Sequence, residues 1–253
     1  MPVADRTYFA AFLDLKGKPG VVVGGGPVAA LKAETLMRSG VRVTVVAPEL
    51  CPRLAELTLL GALRHEAKRF QPGDLVGAEI AIAATDDAAV NEAVSSAARA
   101  LRIPVNVADD AARSSFIMPS VVDRLPVQIA ISTAGASPVL ARKLRMLIES
   151  AVPHAFGRLA ALAARFRSAS RRRYPEPEAR RRFWEEVVDG PLADLVFSGA
   201  EQAAEKHLEE SLAGDASNVP VAGFVSLVGE RSEERRVGKE CLRQCRSRWS
   251  PYH

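Results

Sequence analysis

Between residues 20 and 110, short β-branched runs alternate with amphipathic stretches. The run Gly20–Val23 predicts a buried strand, and the pattern from Pro27 to Ser39, closed by Gly40, predicts a helix. A second strand is expected over Val41–Val46, stopped by Ala47-Pro48-Glu49 because proline cannot continue the ladder. A helix over Leu50–Leu60 ends at Gly61. Glu79–Ala84 predicts a strand, Ala88–Leu101 a helix and Ile103–Val107 a further strand. Strands alternating with helices of this length imply a parallel, doubly wound α/β sheet of Rossmann type.

The pattern then changes. Phe116–Ile131 holds two apolar runs split by Asp123-Arg124-Leu125-Pro126, which predicts a pair of hairpin strands. A polar loop, Ser132–Pro138, precedes a helix over Val139–Ser150. After Pro153 the chain is rich in Ala, Leu, Arg and Glu to Gly214 and is expected to be helical, broken once at Pro175 and Pro177. Asp215–Pro220 reads as a linker, and Val221–Val228 as the first strand of another domain.

The strongest local motif is Gly24-Gly25-Gly26-Pro27-Val28-Ala29, which fits G-x-G-x-x-A between a strand and a helix. The first glycine permits a tight turn, and the second lets the backbone approach a pyrophosphate. The helix start then offers unpaired N–H groups to the phosphates. A glycine turn without a cofactor is the plain alternative. The ribose-binding acid expected at the end of the second strand is missing at Val46-Ala47, with Glu49 following Pro48, and no arginine replaces it. NAD is therefore expected over NADP.

Open parallel sheets bind ligands at the carboxyl ends of their strands. Thr85-Asp86-Asp87 and Asn106-Val107-Ala108-Asp109-Asp110 both fall there. Asp86 or Asp87 suits a helix N-cap, and Thr85 is placed at the cofactor edge. Asp109 is a candidate proton acceptor, against a helix cap or a surface acid. In Ser132–Pro138, Ser137 suits an N-cap and Pro138 a first helical position, so this helix start is either an anion site or an ordinary cap. Arg171-Arg172-Arg173 and Arg180-Arg181-Arg182 read as solvated faces or as attraction for a polyanion.

Composition narrows the class. The chain has 253 residues, 48% hydrophobic and 25% charged, as in ordinary globular proteins. Of 34 basic and 30 acidic residues, seven and four lie in 230–253, leaving 27 against 26, so the basic excess is no nucleic-acid signature. No apolar run of about 18 residues predicts a membrane span. Met1–Arg6 does not open a signal peptide, and a cytoplasmic protein is expected. Cys241 and Cys245 lie in the tail and Cys51 alone in the body, so no disulfide framework is expected. Residues 230–253 resemble translated adapter sequence and are expected to be a non-native tail. His65 and His154 are isolated, and no preformed metal site is expected, Cys241, Cys245 and His253 included.

Taken together, these residues resemble the N-terminal module of siroheme synthases and the related precorrin-2 dehydrogenase/ferrochelatase family. The matching strings are Val23–Ala29, Ala83–Asp87, Asn106–Asp109, Ser115–Ser120, Asp123-Arg124, Ser132–Arg142 and Arg180–Glu185, in order over about residues 5–229. The resemblance implies a Rossmann domain (1–113), an α+β dimerisation region (114–150) and a small all-helical domain (151–215). Residues 216–229 would be a linker and the first strand of a missing methyltransferase domain, so no methyltransferase activity is expected of this chain. It implies a homodimer that oxidises precorrin-2 to sirohydrochlorin with NAD, then inserts ferrous iron in the same pocket to give siroheme. Asp109 falls on the family's general base. Asn106, Ser132, Thr133, Gly135 and Ser137 fall on the substrate side, and Gly24, Gly25, Gly26, Pro27, Val28, Pro48, Glu49 and Thr85 on the cofactor side. Thr133 stands where fused members often carry a serine that can be phosphorylated. Competing expectations are another NAD-dependent dehydrogenase and a non-enzymatic nucleotide-sensing domain.

Overall fold

The computed structural model describes residues 7–214. The expectations for Met1–Arg6, the 216–229 linker and strand, and the 230–253 tail with its cysteines lie outside the described residues. Two compact units are present. One runs up to Pro119 and takes back Ser132–Pro138; the other holds Ser120–Ile131 and the chain from Val139 onward.

The first unit is built on five parallel strands: β1 (Pro19–Val23), β2 (Arg42–Val46), β3 (Arg64–Glu66), β4 (Ile80–Ala83) and β5 (Val105–Val107). Their order is β3-β2-β1-β4-β5, and every pairing is parallel. The central strands are apolar runs because both faces are covered. Val22, Val43, Val45, Ile80 and Ile82 face α1 (Pro27–Arg38) and α2 (Pro52–Leu59). Val21, Val23, Val46, Ala81, Ala83, Val105 and Val107 face α3 (Ala88–Ala100) and Leu75 of a 3-10 turn, Pro72–Leu75. Small side chains let α1 lie close on the sheet, since Ala29, Ala30 and Ala33 are buried with Leu36.

The parallel sheet and its helices follow the pattern expected, with two additions. β3 was not foreseen because Arg64-His65-Glu66 has no apolar run; its backbone pairing to β2 holds it instead. His65 is anchored there, with its Nε2 at 2.8 Å from the Ala47 carbonyl. The exposed side of β5 is closed by the strip Ser114–Phe116. Ser115 Oγ accepts from Val105 N–H at 2.8 Å, Ser114 Oγ accepts from Val107 N–H at 2.9 Å, and Ser115 N–H returns to the Val105 carbonyl at 2.8 Å. These bonds use the groups that an edge strand would otherwise present to another chain.

In the second unit β6 (Ser120–Arg124) and β7 (Val127–Ile131) form an antiparallel hairpin. Helix α4 (Pro138–Ala151) follows, and Arg124 donates to its C-terminal carbonyls at Glu149 and Val152. Gly157, in the first turn of α5 (Ala155–Arg173), lies against the hairpin turn; a Cβ there would stand 2.2 Å from the Arg124 carbonyl oxygen. Helices α6 (Pro177–Asp189), α7 (Pro191–Phe197) and α8 (Glu201–Ala213) complete the unit around Leu159, Phe183, Leu192, Val196 and Leu208. The helical region is broken three times rather than once. Beyond the expected prolines, it breaks at Gly190-Pro191, where proline starts a new helix, and at Gly199 (φ 86°). The arginine runs divide by role. Arg171–Arg173 are exposed, whereas Arg180 donates to the Tyr174 and Pro175 carbonyls across the first break. No helix among the described residues is long and apolar enough to cross a membrane.

Candidate functional site

All the site residues expected from the sequence fall in the first unit, including the Ser132–Ser137 loop, which is separated from the sheet by the whole hairpin in sequence. The glycine turn caps β1. Gly24 has φ 130°, and a Cβ on it would lie 2.2 Å from the Ala84 carbonyl oxygen. Gly25 is closed in by the next crossover: a Cβ would lie 1.8 Å from the Glu49 carbonyl oxygen, and Cys51 N–H donates to the Gly25 carbonyl at 2.7 Å. Glu49 thus shapes the turn through its backbone, with its side chain exposed, and Pro48 precedes it. Above Gly26 the space is open, with nothing within 4 Å of an added Cβ. Gly26 is the N-cap of α1 without a side-chain cap, and Pro27 holds N1. Helix geometry leaves the N–H groups of Val28 and Ala29 without intrahelical acceptors. An open, uncapped helix start above a glycine turn fits a dinucleotide pyrophosphate.

Thr85 follows β4, with its methyl 3.4 Å from the position of a Gly24 Cβ. Its hydroxyl is used within the loop, 2.9 Å from Asn91 Oδ1 and 3.0 Å from the Asp87 carbonyl, while Asn91 Nδ2 donates to the Thr85 carbonyl at 2.8 Å. Asn91 had no signal in the sequence beyond its place in the first turn of a helix. Of the two candidate caps, Asp87 takes the role, accepting from Ala89 and Val90 N–H.

β5 brings Asn106 and Asp109 to the carboxyl edge of the same sheet. Asn106 is 7% exposed and donates Nδ2 to the Phe116 carbonyl at 3.1 Å. Its Oδ1 is buried and has no hydrogen-bond partner among the described residues. Asp109 adopts φ 57°, a left-handed conformation that Asp tolerates better than most residues. It caps no helix, since the chain turns back on itself through a Val107–Asp110 bridge. The two adjacent acids are treated differently. Arg113 donates its backbone N–H to Asp110 Oδ1 at 3.0 Å, and its guanidinium pairs with Asp110 and Glu92. The Arg113 backbone N–H, followed by its guanidinium, holds the Asp110 carboxyl below the usual carboxylate range. Asp109 has no ion pair among the described residues and is exposed. Burial lowers the pKa of Lys32, on α1, and the charge of Asp109 opposes that shift.

The loop before α4 is a tight turn. Thr133 Oγ1 donates to the Ser137 carbonyl at 3.1 Å and accepts from Ser137 N–H at 3.2 Å. Ser132 Oγ accepts from Ala134 N–H at 3.0 Å, and Ala134 (φ 52°) and Gly135 (φ 83°) carry the reversal. The Thr133 hydroxyl therefore has a structural partner. Among the described residues, no three His, Cys, Asp or Glu side chains gather as a metal site.

Sheet order, glycine turn and open helix start together define a dinucleotide-binding Rossmann protein. An NAD(P)-binding family model matches residues 11–120, a model described as the sirohaem biosynthesis protein central region matches 124–151, and the sirohaem synthase dimerisation region matches 155–212. The chain is 50% identical over 226 residues to a siroheme synthase of Nitrosospira multiformis, covering 88% of this chain and 48% of that one. It is 47% identical over 222 residues to a siroheme synthase of Chromobacterium violaceum, covering 88% and 47%. Among solved structures it resembles SirC, a precorrin-2 dehydrogenase, with TM-score 0.63 and 25% identity over 82% of this chain and 100% of that one. The chain belongs to the siroheme synthase family. It spans about half the length of the curated relatives it matches.

Proposed function

We propose that this chain oxidises precorrin-2 to sirohydrochlorin with NAD, and that the same pocket then receives ferrous iron as a substrate to form siroheme. The observation that carries this reading is Asp109, a carboxylate without an ion pair among the described residues, at the same carboxyl edge of the sheet as the dinucleotide turn. NAD, when bound, supplies the two-electron acceptor. The Gly24–Gly26 turn and the Val28 and Ala29 N–H groups hold its pyrophosphate. Preference for NAD over NADP is supported by the Ala47–Cys51 loop, which carries no basic residue. The nearby Arg53 is paired with Glu34 and Glu56 at 2.5 and 2.8 Å.

Asp109 takes the proton that leaves precorrin-2 as the substrate gives up two electrons. In the second step it receives pyrrole N–H protons, because a metal ion requires deprotonated nitrogens. Asn106, Ser132, Thr133, Gly135 and Ser137 are assigned to the tetrapyrrole side, and the working form is assigned as a homodimer. The match of 155–212 to a dimerisation region supports the dimer.

Mixing precorrin-2 with NAD and following NADH absorbance tests the first step. Formation of NADH above the enzyme-free background is expected, and its absence refutes the dehydrogenase. NAD binding without turnover would instead favour a nucleotide-sensing domain. Sirohydrochlorin with ferrous iron, timed with and without protein, tests the second step; equal rates refute it.

A further inference from the structure

Lys32 lies on α1, beside the alanines that pack on the sheet. Its Cα stands about 9 Å along the helix from the Gly26 cap, and helical side chains lean back toward the N-terminus. The stem therefore leads up to the rim where Asp109 sits. Lys32 is half-buried, and its Nζ donates to Met118 Sδ at 3.4 Å. A thioether is a weak acceptor for an ammonium with three donors. No carboxylate among the described residues lies within ion-pair distance of it, and burial rather than pairing governs its charge.

A group with the opposite need is tied to the same stretch of chain. Asn106 Oδ1 is a buried acceptor with no donor among the described residues. Both residues are tied to one strip, Asn106 through the Phe116 carbonyl and Lys32 through Met118 two residues on. A ligand that satisfies both brings an anionic group and an N–H donor together. The dinucleotide phosphates are already served by the helix start. A pyrrole ring carrying carboxylate side chains meets the description.

We propose that Lys32 is a substrate-binding residue whose ammonium receives one peripheral carboxylate of the tetrapyrrole. This rests on the tetrapyrrole reading above. It assigns the residue a part in affinity and orientation, with no proton to move.

The test uses the full chain, with Lys32→Met removing the charge at similar length and Lys32→Arg keeping it. KM for precorrin-2 and kcat come from NADH formation. Affinity for uroporphyrin, a polycarboxylate porphyrin, comes from its absorbance change, and NAD affinity is measured separately. Lys32→Met is expected to raise KM and the uroporphyrin Kd at least about tenfold, as for a lost charged hydrogen bond. NAD affinity should stay within about twofold, and Lys32→Arg should recover most of the loss. The thermal midpoint of Lys32→Met should equal or exceed that of the parent, because a desolvated cation is removed. A lower midpoint with unchanged porphyrin affinity indicates a structural lysine and overturns the proposal, as does a loss falling on NAD. NADH formed with porphyrin binding indifferent to Lys32 sinks this inference alone. Porphyrin held through Lys32, with no NADH even from the parent, sinks the dehydrogenase and leaves this assignment standing.

Discussion

Gly25 and Gly26 are neighbours in one turn, yet alanine should do different things at each. At Gly25 the new Cβ would stand 1.8 Å from the Glu49 carbonyl oxygen and 3.1 Å from Ala47 Cβ. An ordinary C···O contact is about 3.3 Å, so the backbone of the second crossover must retreat by roughly 1.5 Å. Overpacking of this kind costs about 1–3 kcal/mol. The retreat also strains the Cys51 N–H bond to the Gly25 carbonyl, worth about 1 kcal/mol. A loss of roughly 2–4 kcal/mol corresponds to a fall of about 8–16 °C in the thermal midpoint of a unit this size. At Gly26 an added Cβ meets nothing within 4 Å. The only folding cost is the poorer N-cap, about 0.5–1 kcal/mol, or roughly 2–4 °C. That Cβ does occupy the open space over the helix start, so NAD affinity should drop at least about tenfold. Calorimetric melting and NAD titration of Gly25→Ala and Gly26→Ala decide it. Parent-like melting of the first variant would refute the steric argument. Parent-like NAD affinity in the second would refute the placement of the pyrophosphate.

Two further outcomes follow from the β5 edge. Asp109→Asn keeps a residue that tolerates φ 57°, so the variant should fold normally while NADH formation from precorrin-2 slows at least about 100-fold; turnover at the parent rate removes Asp109 from the base role. Arg113 holds Asp110 and Glu92 below the usual carboxylate range. A depressed folded pKa stabilises at pH above the unfolded value, and the benefit fades as pH falls through the folded one. Arg113→Ala should therefore melt lower at neutral pH, by at most about 4 °C for exposed pairs. The gap should close as pH falls through and below the usual carboxylate range; a gap independent of pH would contradict the pairing.

The sheet was legible because burial on two faces leaves a plain mark: Val21–Val23 and Ile80–Ala83 are unbroken apolar runs. β3 left none, because Arg64-His65-Glu66 is held by backbone bonds that no side-chain pattern encodes. The helical breaks at Gly190 and Gly199 were hidden in a composition that favours helix throughout, where a glycine alone is weak punctuation. In the site, the glycine turn and Asp109 could be named from spacing and strand ends. The loop hydrogen bonds of Thr85 with Asn91, the division of labour between Asp109 and Asp110, and the nearness of Lys32 could not. Each depends on which way a side chain turns once the crossovers are packed.

The strip from Ser114 to Phe116 has a double duty. Its hydroxyls seal the last strand against a foreign chain, and its Phe116 carbonyl fixes the amide of Asn106. Protection of the strand edge and alignment of the Asn106 amide are thus carried by three consecutive residues. A mutation that loosens the strip should therefore be felt both at the strand edge and in the orientation of the Asn106 amide.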